Sequence, residues 1–169
     1  MVLSRKLRAP AQPELAIGAV SEDGQVYLNH QAEEVPGVTD DYLAGERQHQ
    51  LDEIARRQKL FRALRPSARI TGRSVIVTDD GIATGSTIIA ALPLIRAQNP
   101  HELIVAVPVA PPERLGAIRA RCDRVVCLFA PRQFWAIGDF YEDFEQVDDQ
   151  QVVELLRACA PAPHTAGAS

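Results

Sequence analysis

Apolar positions change period twice along this chain, and each change marks a different kind of element. Leu15 to Val20 and Gln25 to Asn29 are short apolar segments separated by Ser21-Glu22-Asp23-Gly24. The Asp-Gly pair supplies the positive φ of a tight reversal, so this region predicts a β-hairpin. From Thr39 to Leu64 the residues Leu43, Leu51, Ile54, Phe61 and Leu64 recur at helical steps with charges between them, and Pro66 stops the helix they predict. Gly45 weakens its first turn, while Arg56, Arg57, Lys59 and Arg62 read as its solvated face. Beyond Gly72 the pattern becomes strand, helix, strand, helix, strand. Ser74 to Thr78, Leu103 to Val109 and Arg124 to Phe129 are the apolar runs; Thr84 to Gln98, despite Pro93, and Pro112 to Cys122 are the helices between them. Continuous apolar strands alternating with helices predict an α/β fold, an open parallel sheet with helices on both faces. The expected domain covers residues 1–159, and the Ala/Pro-rich stretch 160–169 is expected to be a disordered tail.

Composition narrows the function classes. A length of 169 residues suits one domain, and 46% hydrophobic with 24% charged residues is the balance of a globular protein. The net charge of −4 offers no basic excess to neutralise a nucleic-acid backbone, so any phosphate site must be local. Cys122, Cys127 and Cys159 show no metal-ligand spacing and read as thiols in a reducing compartment. His30, His49, His101 and His164 have no paired ligand spacing either. No apolar run reaches the roughly 18 residues of a membrane span and no signal-peptide pattern opens the chain, so the expected location is the cytoplasm.

The stretch that carries chemistry is Val75 to Thr87, VIVTDDGIATGST, in which a buried strand ends in two carboxylates and runs through small residues into a helix. In an open α/β sheet, ligands bind outside the carboxyl ends of the strands, where this turn lies. Ala83, Thr84, Gly85, Ser86 and Thr87 place backbone N–H groups and three hydroxyls at a helix N-terminus, which favours an anion. Asp79 and Asp80 would repel a phosphate set directly on them, yet they accept hydrogen bonds from neutral hydroxyls and help hold a divalent cation. An acid pair followed by a phosphate cradle suits a sugar phosphate. The alternative is an ordinary strand-to-helix turn capped by Thr84 or Ser86. Neither a Gly-Lys-Ser/Thr ending nor G-x-G-x-x-G is present.

This motif resembles that of the type I phosphoribosyltransferases: a β-branched strand, two acids, two or three intervening residues and Thr-Gly-x-Thr/Ser. The likeness extends more weakly from Arg5 to about Val153, through an Arg-Lys-Leu start, a Pro-Glu-Leu-Ala-Ile-Gly-Ala segment and a Phe-Tyr-x-Asp-Phe ending, and is similar to an uncharacterised bacterial branch. The resemblance implies that Asp79 and Asp80 hold the ribose hydroxyls and Mg²⁺, that Ala83 to Thr87 wrap the 5-phosphate, and that Arg5 and Lys6 lie near the pyrophosphate. It also implies that Trp135 stacks on a nucleobase and that Glu142, seven residues on, approaches the metal, with the hairpin as a small hood. The family usually begins with a further strand, helix and strand whose loop carries an Arg-Gly-Gly-like element. No such element is found here, so the central strand is expected to be missing and the chain is expected to bind its substrate better than it turns it over. Ala83 stands where hypoxanthine-guanine enzymes carry an aspartate, which makes the loop more like the adenine or orotate types.

The resulting expectation is a phosphoribosyltransferase that uses 5-phosphoribosyl pyrophosphate, Mg²⁺ and a nitrogen nucleophile such as a nucleobase, acts on no nucleic acid or membrane, and is open to forming a homodimer. A non-catalytic sugar-phosphate or nucleotide binding module of the same fold and an inactive gene product are the rival readings.

Overall fold

The computed structural model describes residues 2–145 and 147–159. The chain opens with three strands, β1 (Ser4–Ala9), β2 (Gln12–Ser21) and β3 (Val26–Leu28), paired antiparallel in the order β1-β2-β3. A short helix α1 (Gln31–Glu34) leads to the long helix α2 (Asp40–Arg62). Then come β4 (Ser74–Thr78), α3 (Ser86–Arg96), β5 (Glu102–Val109), α4 (Pro112–Arg119) and β6 (Arg124–Phe129), whose strands form a parallel sheet in the order β4-β5-β6. A 3-10 turn at Ile137–Phe140 and the helix α5 (Asp149–Ala158) complete the described chain. The expected tail, 160–169, lies outside the described residues.

Two apolar cores organise these elements. Val75, Val77, Leu103, Val105, Val107, Val125 and Cys127 point from one face of the parallel sheet into a cluster with Ile88, Ile89, Leu92 and Ile95 of α3 and Leu115 and Ile118 of α4. Leu7, Ala9, Ile17 and Val20 of the antiparallel sheet meet Ile54 of α2 in the second. Consecutive residues on a strand face opposite ways. Ser4 donates its hydroxyl to the Thr87 carbonyl of α3 at 3.1 Å, while Arg5 turns to Gln50 of α2 at 2.6 Å. The antiparallel sheet is therefore sandwiched between α3 and α2. Thr39 caps α2 by accepting from the Tyr42 amide at 3.2 Å. The predicted hairpin is present but larger than expected, because Ser4–Ala9 adds a third strand beside it.

The parallel sheet, with its helices, confirms the expected α/β class. Among the described residues helices cover one of its faces, whereas two covered faces were expected. Ile76 (61% exposed) and Leu128 (81%) lie on the other face, in solvent. The reason is topological. The strands advance in one direction, β4 to β5 to β6, and parallel crossovers are right-handed, so both α3 and α4 fall on the same side. Two covered faces require the strand order to reverse, which the described strands do not do. The basic side of α2 also differs from the solvated face expected of it: Arg56 and Arg57 pair with Asp149 of α5, and Arg62 pairs with Glu22 at 2.7 Å. No described helix is long and apolar enough to cross a membrane.

Candidate functional site

The motif folds as a strand end, an acidic turn and a helix start. After Thr78 the Asp80 amide donates to Asp79 Oδ1 at 3.1 Å, and the Ile82 amide to the Val109 carbonyl at 2.9 Å, which fastens the turn to the end of β5. Gly85 has φ +80° and is the residue from which α3 departs, a left-handed conformation that a branched side chain resists. Thr84 Oγ1 bridges the loop: it accepts from the Ser86 amide at 3.3 Å and donates to Ser86 Oγ at 3.1 Å. The first helical hydrogen bond runs from the Ile89 amide to the Gly85 carbonyl, so the amides of Thr87 and Ile88 find no protein acceptor among the described residues. Ala83 is exposed and Thr84 and Thr87 are half-buried, whereas Ser86 is wholly buried and its hydroxyl serves the loop itself.

This loop forms one wall of a cavity of about 550 Å³. The opposite wall comes from the antiparallel sheet, including Ser4, Lys6, Arg8 and Glu14. Arg5 and Lys6, paired in expectation, have different surroundings. Lys6 faces the acidic turn closely enough for its charge to favour the Asp79 carboxylate. Arg5 borders the cavity, but its guanidinium is held by Gln50, a fully buried side chain of α2. Burial first, and the neighbouring Arg57 charge second, lower the pKa of Arg5. Asp79 stands at the surface, yet surrounding protein desolvates it, and with the adjacent Asp80 charge this raises its carboxyl above the ordinary aspartate value of 3.8.

Residues 134–145 close one end of the cavity. Ile137 and Phe144 border it, and Tyr141 donates its hydroxyl to the Asp80 carbonyl at 2.6 Å. Trp135 is not among the residues around the cavity. Its side chain is 91% exposed, and the aromatic at the cavity is Phe144. The neighbouring rings pack on one another instead, Phe134 on Phe140 at 5.4 Å and Phe140 on Phe129 at 5.7 Å. Glu142 does not complete a metal cluster with the acid pair: among the described residues no three His, Cys, Asp or Glu side chains gather to hold an ion. Asp79 and Asp80 alone still fit Mg²⁺, which takes one or two carboxylates and fills its remaining positions with water and substrate oxygens. Reasoning from the motif gave no role to Glu14, Ile137, Tyr141 or Phe144. The resemblance pointed to the right segment, through its Phe-Tyr-x-Asp-Phe ending, but gave the stacking role in it to Trp135.

Comparison with known proteins agrees with this geometry. The family model described as "Phosphoribosyl transferase domain" matches residues 13–145. Two proteins from Mycobacterium tuberculosis strains CDC 1551 and H37Rv, whose names assign them provisionally to the phosphoribosyl transferases, are 40% identical over 158 residues. That match spans 92% of this chain and 35% of each relative, so the chain corresponds to about a third of their length. The crystal structure of TT1426 from Thermus thermophilus superposes with a TM-score of 0.70 at 40% identity, covering 95% of this chain and 76% of that one. With the family model covering residues 13–145, the acidic turn and the start of α3 among them, the chain belongs to the phosphoribosyl transferase domain family.

Proposed function

We propose that the chain binds 5-phosphoribosyl pyrophosphate in this cavity and transfers its ribosyl group to a nitrogen nucleophile such as a nucleobase, releasing pyrophosphate. One observation carries the reading: an acid pair and a helix start with free amides border the same cavity, at the carboxyl end of β4. The Thr87 and Ile88 amides and the Thr84 and Thr87 hydroxyls take the 5-phosphate. Asp79 and Asp80 accept hydrogen bonds from the ribose hydroxyls and hold Mg²⁺. Lys6, across the cavity from them, takes the pyrophosphate end. Mg²⁺ supplies positive charge for the departing pyrophosphate when it is bound. The rest of the work is positioning and electrostatics, because a bond that breaks ahead of the incoming nitrogen needs no covalent nucleophile from the protein.

Titration calorimetry with 5-phosphoribosyl pyrophosphate, with and without Mg²⁺, tests the binding half, and pyrophosphate release over a panel of nucleobases tests the transfer half. Mg²⁺-dependent binding with release for at least one base is expected. A second reading, a sugar-phosphate binding module, is favoured by the outer edge of β4, on which no described strand pairs. Tight binding without release for any base selects it, and absence of binding sinks both.

A further inference from the structure

The segment after β6 touches the acidic turn at two points that the reading above does not use. A Cβ on Gly81 would lie 2.9 Å from Ile137 Cγ2, so the absence of a side chain at 81 lets that segment seat against the turn. Four residues on, the Tyr141 hydroxyl donates to the Asp80 carbonyl at 2.6 Å, across 61 positions of sequence. The Tyr141 ring is itself held by Phe144, with centroids 5.1 Å apart. The turn has reason to need such a fastening. Asp79 and Asp80 are adjacent like charges, and the Asp80 amide is already committed to Asp79 Oδ1. The carbonyl of Asp80 belongs to the peptide plane that leads into Gly81. A hydrogen bond to that carbonyl ties the main chain of the acidic turn to the segment after β6, so a displacement of the turn relative to the cradle would have to break it.

We propose that Tyr141 is the positioning residue of the acid pair: its hydroxyl fixes the Asp80–Gly81 peptide and so holds both carboxylates in register with the phosphate cradle. The proposal rests on the sugar-phosphate reading of the cavity. The cradle does not share this dependence, since its bonds run among Ile82, Thr84, Gly85, Ser86, Ile89 and Val109. Tyr141 therefore matters to the ribosyl half of a ligand and not to the phosphate half.

The experiment is calorimetric titration of the full chain and of Tyr141→Phe with two probes, ribose 5-phosphate plus Mg²⁺ and inorganic phosphate alone. Loss of one neutral hydrogen bond is worth roughly fivefold in affinity, so Tyr141→Phe is expected to weaken ribose 5-phosphate by about that factor and leave inorganic phosphate within about twofold. Equal losses for both probes would indicate general loosening and overturn the proposal, as would no change for either. A parent chain that binds ribose 5-phosphate no more tightly than inorganic phosphate overturns the functional reading as well. That outcome is seen before any variant is made, so the two failures are distinguishable.

Discussion

The two sheets of this molecule are treated differently by the rest of the chain. The antiparallel sheet lies between α2 and α3, with Leu7 and Ile17 fully buried on the α2 side. The parallel sheet buries Leu103 and Val105 completely on the α3 side and leaves Ile76, Val126 and Leu128 exposed on the other. Strand composition does not account for the difference, since Ile76 and Val126 are as suited to a core as Val77 and Val125. The direction of winding does. Successive right-handed crossovers stack their helices on one face, and a sheet that never reverses leaves the other bare. The cavity sits at the junction of the two treatments, because α3 is the helix both sheets share and its N-terminus borders that cavity.

The sharpest way to break this comparison is to truncate an equivalent residue on each side. Leu92 of α3 is fully buried, and Leu92→Ala should cost about 2–5 kcal/mol in urea unfolding. Leu128, at 81% exposure, should tolerate alanine within about 0.5 kcal/mol. A Leu128→Ala loss as large as that at Leu92 would mean that the bare face is covered in solution.

At the junction, Gly85→Val forces a β-branched residue into φ +80°, a strain of about 1–3 kcal/mol, and sets its side chain against Ile82, Ile89 and Ile118, so the loop has to shift. Binding of ribose 5-phosphate should be abolished; a folded variant that binds as the parent does would remove the cradle from the phosphate assignment. Asp79→Asn and Asp80→Asn should weaken ribose 5-phosphate with Mg²⁺ roughly tenfold or more, a loss typical of hydrogen bonds to charged groups, while inorganic phosphate binding changes far less.

The pH dependence has a definite sign. A raised carboxyl means that the ionised form is the disfavoured one in the folded chain, so the contribution of Asp79 to folding is most favourable at low pH. It falls as pH rises through 3.8 toward the raised value. Mg²⁺ binding should run the other way and strengthen as Asp79 ionises, with a midpoint above 3.8, and Asp79→Asn should flatten that profile. The smallest effect is expected where the parallel sheet starts. Asp123 accepts from the Leu103 amide at 2.7 Å and from Arg96 at 3.1 Å, and these bonds hold its carboxyl below the ordinary value. Its stabilising effect is present above pH 3.8 and disappears as pH falls through the depressed value. Asp123→Asn should lower the thermal midpoint slightly at neutral pH and leave ligand binding intact.

Sequence alone determined the elements whose reasons are local. Ser74–Thr78 and Arg124–Phe129 are β-branched runs bounded by turn residues, and their limits match the observed strands. The acidic turn and the Thr84 to Thr87 loop were legible as a strand-to-helix connection because their hydrogen bonds join residues one or two positions apart. Tertiary structure decided the rest. Ser4–Ala9, SRKLRA, has no apolar alternation strong enough to announce a strand, and it forms one because β2 pairs with it and α2 supplies Gln50 for Arg5. Trp135 matched a base-stacking spacing and stands in solvent, while Phe144 borders the cavity, because the path of the chain after β6 is set by Ile137 against Gly81 and Tyr141 on Asp80. Which face of a strand is buried, and which of several aromatics borders the cavity, depends on contacts between residues distant in sequence, such as Arg5 with Gln50 and Tyr141 with Asp80, and no periodicity within one segment encodes them.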